Sequence, residues 1–508
     1  MNNFSDWIEK HADFVPDKAA IHFEGRTITY AQFSGTVQNY ARTLKNTYGL
    51  DYGDRLAYLG FNTPEFLFTL FACARIGVIF SPLNWRLTAA ELVYILADSA
   101  PKVVVCDTEH RAAGEAIREN VSQSEFVAVD FEAKGWLNFQ DDLQTSEGAD
   151  NSPDVSGETP QLLVYTSGTT GRSKGALLTQ EAMLVNALNG VHLADMNSLD
   201  NVLTCLPMFH VGGLNIQTVP AFYVGATVTL HRRFDPVAVL RDLQDFQITL
   251  TCLVPATCQA IINQPNWPDA GFPVLKSVLM GSSIVPYHLI NAFHEKGVPV
   301  GQMYGSTETA PIAVYLRAED AIRKAGSTGK AALHCQMRIV DEESKDVEPG
   351  TPGEILIKGK NIMREYWGNE QATHEAIKDG WFYTGDIGYE DEEGFVWIND
   401  RKKDVVISGG ENIYPAELEQ FIHQMEDVED ATVVARPDEQ WGEVPVAVVI
   451  MAEGREISIK DFLSRFESQV ARFKHPKDVI FVEQFPRNAM GKILKHEVRE
   501  MVAGTDPA

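Results

Sequence analysis

The stretch YTSGTTGRSKG, Tyr165 to Gly175, decides how the rest of the chain is read. Its eleven residues hold three glycines, two serines, three threonines, one arginine and one lysine. Glycine lets backbone N–H groups approach an anion closely, and the hydroxyls and Lys174 add donors for its oxygens. This is the composition of a loop that wraps phosphate. It is not a Walker A loop, which reads G-x-x-x-x-G-K-[ST]; here Ser173 precedes the lysine and Gly175 follows it. Upstream, QLLVY (161–165) reads as a strand, and downstream TQEAMLVNALNGV (179–191) reads as a helix. A flexible linker has a similar composition. Linkers are seldom placed between a buried strand and a helix, so the loop is expected at a strand-to-helix junction.

At 508 residues the chain exceeds one ordinary domain, and two or more cores are expected. Its 44% hydrophobic and 22% charged content is that of a soluble globular protein. No run approaches the roughly 18 uninterrupted apolar residues of a membrane span. The most apolar stretch, FLFTLFACARIGVIF (66–80), carries Arg75 and reads as a buried helix running into a strand. The N-terminal MNNFSDWIEKHADF has acidic residues and no apolar signal core. Six cysteines form no C-x-x-C pair and sit mostly in apolar segments. Buried free thiols in a reducing compartment are expected, and with them a cytoplasmic location. The net charge of −27 argues against nucleic acid or an anionic membrane as partner. A bound polyanion would need local dipoles, a few basic residues and a metal to overcome that field.

The first third alternates strands and helices: DRLAYLG, PEFLFTLFACARIG, TAAELVYILADSA, KVVVCD. That pattern implies α/β layering around a partly parallel sheet. Residues 140–158 hold six acidic and no basic residues and read as a solvated loop and subdomain seam. More α/β pattern runs to about residue 320, then a Gly/Pro-punctuated β-rich stretch. After Asp400 a compact α+β unit of about a hundred residues follows. It has strands near ATVVARP and VPVAVVI and helices near AELEQFIHQM and IKDFLSRFESQVA. The charged run DRKKD (400–404) marks the boundary. The expected units are a large domain over 1–400, a hinge at 401–403 and a small mobile domain over 404–508.

Four further clusters carry chemistry. In MYGSTE (303–308), Tyr304 offers a ring for stacking, Thr307 a hydroxyl, and Glu308 a hard oxygen ligand for Mg²⁺. In YTGD (383–386), Asp386 can accept hydrogen bonds from a ribose diol. DRKKDVVISGGENIYPAELE (400–419) passes from a charged hinge through a strand and a Gly-Gly turn to a helix with Pro415 in its first turn. PRNAMGKILK (486–495) places Gly491-Lys492 at a turn. Each has a plain structural reading alone: a turn ending a strand, a hairpin, a solvated surface lysine.

Together and in this order, TSGTTG…KG, YGSTE, YTGD, DR…SGGENI and GK resemble the acyl-adenylate-forming enzymes. These include acyl-CoA synthetases, firefly-type luciferases and adenylation domains of peptide synthetases. The resemblance runs from about residue 4 to 500. It implies that Thr166, Ser167, Gly168, Thr169, Thr170, Gly171 and Lys174 hold the β- and γ-phosphates of ATP while a carboxylate attacks the α-phosphorus. Tyr304 would stack on adenine beside Gly305, Asp386 and Arg401 would grip the ribose, and Thr307 a phosphate oxygen. Glu308 would help hold Mg²⁺, and Lys492 would offset the repulsion between the two anions. Coenzyme A would then attack the acyl-AMP after the small domain swings about Lys403. That swing would exchange Lys492 for the Gly409-Gly410 turn, which lines a tunnel for the pantetheine arm. Trp441, Phe473 and Lys477 match positions used for the CoA nucleotide in aryl-CoA ligases; Trp441 reads equally as a core residue.

The segment LPMFHVGGL (206–214) matches the wall of the acyl pocket, with His210 as an aromatic gate. Val211, Gly212, Leu214, Ser282, Ser283, Met303 and Asn412 would line the rest. None of these carries a fixed positive charge, so a monocarboxylate is expected, bulkier than acetate: an aromatic, hydroxycinnamate-like or medium-chain fatty acid. Two positions depart from the family pattern. Ser173 stands where most relatives carry Pro, and Gln180 where a His commonly follows the Thr. The expected activity is an AMP-forming acyl-CoA ligase acting on small molecules as a monomer or homodimer. Alternatives are a ligase serving a carrier protein and a non-catalytic AMP sensor. The stretch after Lys492 lacks a carrier segment, which argues against a peptide-synthetase module. A sensor would be expected to lose residues such as Glu308 or Lys492. The Walker spacing excludes a P-loop NTPase, and a Ser-His-Asp hydrolase would need a G-x-S-x-G elbow.

Overall fold

In the computed structural model, which describes residues 3–166, 173–409, 411–438, 440–467, 469–488 and 491–503, the strand before the glycine-rich loop is Pro160–Thr166. The loop leads into a second strand, Lys174–Thr179, paired antiparallel with the first so that Thr166 lies opposite Lys174 and Tyr165 opposite Gly175. The helix Gln180–Ala194 starts only after this return strand. The loop therefore joins two paired strands rather than a strand and a helix. The cause is local. Gly175–Thr179 is buried throughout, lying between Pro160–Thr166 and Glu365–Tyr366, which is where a continuous apolar run belongs. Thr179 then caps the helix by accepting from the Ala182 N–H at 3.1 Å.

The architecture is mixed α/β, a large N-terminal domain followed by a small C-terminal one. The hairpin belongs to an eight-stranded sheet whose parallel members include Ile79–Pro82, Arg55–Leu59, Val103–Cys106 and Glu125–Ala128. A nine-stranded sheet contains Asn201–Thr204, Leu250–Leu253, Ser277–Met280 and Val300–Tyr304, also parallel. The helix Pro64–Ile76 is buried along its whole length in the core shared by these sheets. Thr63 caps it, and Gly77 ends it in the left-handed region at φ 75°.

A third sheet pairs Trp381–Glu390 with Gly353–Gly359 on one side and with Val396–Arg401 on the other. The fourth sheet begins at Val406–Ser408 and includes Val428–Asp438, Gly442–Met451 and Asp478–Phe481. It has its own core around Val406, Ile413, Leu418, Phe462 and Phe466.

Two further sequence expectations are corrected. The acidic stretch 140–158 does not start as a loop, because residues Phe139–Thr145 form a helix. Asn138 caps that helix and the buried Phe139 anchors it. The helix predicted over IKDFLSRFESQVA stops at Ser464. All six cysteines are free, five buried and Cys335 half-buried. Among the described residues no helix is long and apolar enough to cross a membrane.

Gln180, which departs from the family pattern, is a structural tie. Its Oε1 accepts from the Phe4 N–H at 2.6 Å, and its Nε2 donates to Ala74 O at 3.0 Å and Gln161 Oε1 at 3.3 Å. It links the N-terminal segment, the buried helix and the strand that delivers the loop. Gln180→Ala would leave the Phe4 N–H and Gln161 Oε1 without these partners in a buried site, costing about 2 kcal/mol or more. A lower urea midpoint for the variant is the expected result; an unchanged midpoint would refute this role.

Candidate active site

Three separated motifs meet at one carboxylate. The strand Val300–Tyr304 delivers Tyr304 at its C-terminal end, the edge where open α/β sheets bind ligands. The Tyr304 hydroxyl donates to Asp386 Oδ2 at 2.7 Å. Asp386 lies directly opposite Arg401 in the third sheet, and Arg401 Nε reaches Asp386 Oδ1 at 2.6 Å. Both carboxylate oxygens thus have a partner in a buried setting. Burial and the Asp386 charge push the Tyr304 phenol well above its ordinary range, so it stays a neutral donor. Asp386 also raises the Arg401 guanidinium, which remains charged.

The chain after Tyr304 has no room for side chains. A Cβ on Gly305 would lie 1.8 Å from Pro311 O. The short turn Thr307–Thr309 comes next, with Thr307 buried. Glu308 Oε1 accepts from the Tyr366 hydroxyl at 2.8 Å, and its carbonyl accepts from the Met363 N–H at 2.7 Å. Lys174 Nζ lies 5.1 Å from the centre of the same Tyr366 ring, a cation–π distance. Tyr366 therefore links the loop lysine to the Glu308 carboxylate, and sequence reasoning missed it. Its only signal is the aromatic pair in EYW, which reads as core.

Among the described residues no side chain pairs with the second Glu308 oxygen, which is thus available to a hard cation. Among the described residues no three His, Cys, Asp or Glu side chains converge as a metal cage. The donor set fits a Mg²⁺ whose other ligands are phosphate and water. Thr166 ends its strand at the loop. The expectations at Ser167, Gly168, Thr169, Thr170, Gly171 and Gly410 lie outside the described residues.

His210 caps the short helix Val211–Leu214, its Nδ1 accepting from the Gly212 N–H at 3.0 Å. Burial lowers the imidazole from 6.5 to about 4, so the ring is neutral. With Nδ1 accepting, the proton sits on Nε2. Gly213 is sterically required, since a Cβ there would lie 2.2 Å from Pro207 O. Val211 and Leu214 are buried. Met303 packs on Gly281, followed by exposed Ser282 and Ser283, with Ser282 held at φ 75°. Asn412 belongs to the C-terminal hairpin, opposite Ile407, and so travels with Gly409 rather than with the wall at His210.

Lys492 reaches this region from the small domain. Its turn is closed by Lys492 N–H to Asn488 Oδ1 at 3.0 Å and Asn488 N–H to Lys492 O at 2.8 Å. Gly491, at φ 76°, presses on the large domain: a Cβ there would lie 3.1 Å from the Ala256 methyl. Lys492 is itself exposed, yet close enough to the large domain for its charges to act on the ammonium. Surrounding protein lowers its pKa, as does Arg401, while Asp386 and Asp404 oppose the shift. The ammonium thus shares one electrostatic field with the Asp386 trio.

The CoA candidates lie on the small domain. The Gly409 N–H donates to Trp441 O at 2.8 Å, and a Cβ on Gly409 would lie 2.8 Å from the indole. Trp441 and Phe473 are exposed aromatics, which excludes the core reading of Trp441. The Lys477 N–H ties to Pro445 O at 2.9 Å, four residues from Trp441. Lys403 is exposed in the turn between Val396–Arg401 and Val406–Ser408. Beside it lies a buried cluster that the sequence did not signal. Asp400 accepts from the Ala416 N–H at 2.9 Å, and Lys495 stands 2.9 Å from Glu419 and 3.9 Å from Asp400. Burial pushes Asp400 up to about 6, against the pull of Lys495.

Comparison with known proteins gives the family of the chain. Residues 8–367 match the model of the AMP-binding enzyme family, and residues 417–492 match the AMP-binding enzyme C-terminal domain. The chain is 47% identical over 500 residues to an indoleacetate–CoA ligase of Aromatoleum aromaticum, covering 98% of each. It is 38% identical to a feruloyl-CoA synthase of an Amycolatopsis species, covering 97% of this chain and 98% of that one. It superimposes on ATP-bound MatB from Rhodopseudomonas palustris with a TM-score of 0.91, at 31% identity and 99% coverage of both. The chain belongs to the AMP-binding enzyme family. Within it, the chain is an AMP-forming acyl-CoA ligase.

The neutral His210 has a pH signature. The unfolded chain takes up the proton that the folded site refuses, so this contribution to stability is complete above about 6.5 and is lost as pH falls toward 4. From this residue alone, stability at pH 5 should be about 2 kcal/mol below that at pH 7. His210→Asn, which keeps a capping acceptor, should shrink that difference in chemical unfolding at the two pH values. An equal loss in both proteins would show that the imidazole is not desolvated.

Proposed function

We propose that this chain condenses an aromatic monocarboxylic acid with coenzyme A, cleaving ATP to AMP and pyrophosphate. The observation that carries the reading is the meeting of Tyr304, Asp386 and Arg401 in the field of Lys492. The names of the two aromatic-acid relatives favour an aromatic acid over a medium-chain fatty acid. In this reading, residues 1–400 bind acid and nucleotide, 401–403 form the hinge, and 404–508 form a mobile lid. The work is done in the reducing cytoplasm, by a monomer or homodimer.

The first step brings two anions together: the acid's carboxylate oxygen attacks the α-phosphorus and pyrophosphate leaves. Lys174 and the loop it closes hold the leaving phosphates. Asp386 and Arg401 orient the ribose hydroxyls, Tyr304 supports the base, and Thr307 donates to a phosphate oxygen. Glu308 would help hold Mg²⁺, which would supply charge neutralisation. Lys492 offsets the negative charge that builds between carboxylate and phosphate. The neutral His210 shields the carboxylate end of the acid without adding charge.

In the second step the thiolate sulfur of CoA attacks the acyl carbonyl, forming the thioester and expelling AMP. Rotation about Lys403 withdraws Lys492 and brings up the Gly409-Gly410 turn, while Trp441, Phe473 and Lys477 contact the CoA nucleotide.

Lys492→Ala should lower acid-dependent exchange of labelled pyrophosphate into ATP by roughly 10²–10³-fold. Thioester formation from a supplied acyl-adenylate should stay close to wild type. If both half-reactions fell together, Lys492 would not be specific to adenylation. Tight AMP binding without exchange for any acid would favour a sensor.

A further inference from the structure

Gln217 is 2% exposed, and neither its Oε1 nor its Nε2 has a hydrogen-bond partner among the described residues. It stands at the N-cap position of the helix Thr218–Val224, yet its side chain does not cap that helix. An unpaired buried amide costs stability, so a polar occupant is expected to serve it. The carboxamide lines a cavity of about 10 Å³ together with Thr204, Leu206, Gly212, Gly213, Thr218 and Cys252.

The other polar groups of that wall are already paired. The Thr218 hydroxyl donates to Gly213 O at 2.8 Å, leaving Thr204 to donate to Thr218 at 2.6 Å. Cys252 is held as a neutral thiol by burial. Leu206 is apolar and buried. Gln217 is thus the free hydrogen-bonding group of the wall. It lies seven residues beyond His210, about 10 Å along near-helical chain. That is the span of an aromatic acid from its carboxylate to the far side of its ring. The cavity has room for one water-sized group and not for a ring.

We infer that Gln217 is the polar end of the acyl pocket, accepting a ring N–H or O–H carried by the aromatic acid at the end opposite its carboxylate. This rests on the aromatic-acid reading above. The buried Oε1 pairs with such a donor and remains unpaired against an isosteric ring that lacks one. Acids bearing the donor are therefore selected over acids of the same shape without it.

The test is pyrophosphate exchange with 4-hydroxycinnamate and 4-fluorocinnamate, which differ in O–H against F at the ring position opposite the carboxylate arm. Wild type should favour the phenol by roughly ten- to a hundred-fold in kcat/KM. Gln217→Met and Gln217→Leu should bring the two acids to near parity, chiefly by losing activity on the phenol, with ATP binding by calorimetry unchanged. Parity in wild type would overturn the assignment without either variant. So would variants that keep the preference, in which case water fills the cavity, or that lose both acids equally. Exchange with fatty acids and no aromatic acid would instead remove the aromatic reading itself, and this assignment with it.

Discussion

The Asp386–Arg401 ion pair is the contact on which the rest of the site depends. It closes the last rung of the third sheet, and the chain leaves for the small domain immediately afterwards. Tyr304 comes to the same carboxylate from the nine-stranded sheet. One acidic side chain therefore fixes the Tyr304 ring, the Arg401 cation and the point at which the chain leaves for the small domain. Breaking it would leave a buried charge unpaired, which costs several kcal/mol. The global charge of −27 makes this local arrangement necessary.

Much of this was legible because the motifs are chemical rather than merely local. YGSTE, YTGD and DR are individually ordinary turns, yet their order on the chain specified which residues would converge. Tyr304, Asp386 and Arg401 converge accordingly, and Gly409 does stand against Trp441. The buried helix at 64–76 was readable from its apolar run and its Gly77 stop. The hairpin at the phosphate loop was not, because GALLT is a short apolar run that periodicity assigns to strand or helix alike. The helix at 139–145 was hidden by its acidic surface, its one anchor being Phe139.

The missed residues share a physical reason. Tyr366, Gln180 and Lys495 act through partners 58, 176 and 76 residues away. Sequence neighbours carry no trace of such pairings. Gln180 shows the point in reverse: the family pattern invited doubt about a missing histidine, and the fold gives glutamine a different task. The His210 expectation came from resemblance, but the neutral ring and its Nε2 proton follow only from burial and the Gly212 cap. Glycines at 213 and 305 also needed coordinates, since what excludes a side chain is a carbonyl from a neighbouring turn.

The buried cluster of Asp400, Glu419, Lys495 and the Ala416 N–H gives the junction a mechanical character. Asp400 is anchored in the large domain's sheet and accepts from the Arg401 N–H at 2.8 Å, while the Ala416 N–H and Lys495 reach it from the small domain. A small domain turning about Lys403 must either carry Asp400 along by twisting the end of its strand or strip the carboxylate of its partners. The first distorts a paired strand, and the second isolates a buried charge. Intermediate angles would be penalised either way, so such a turn would meet a detent with discrete seats rather than bend freely.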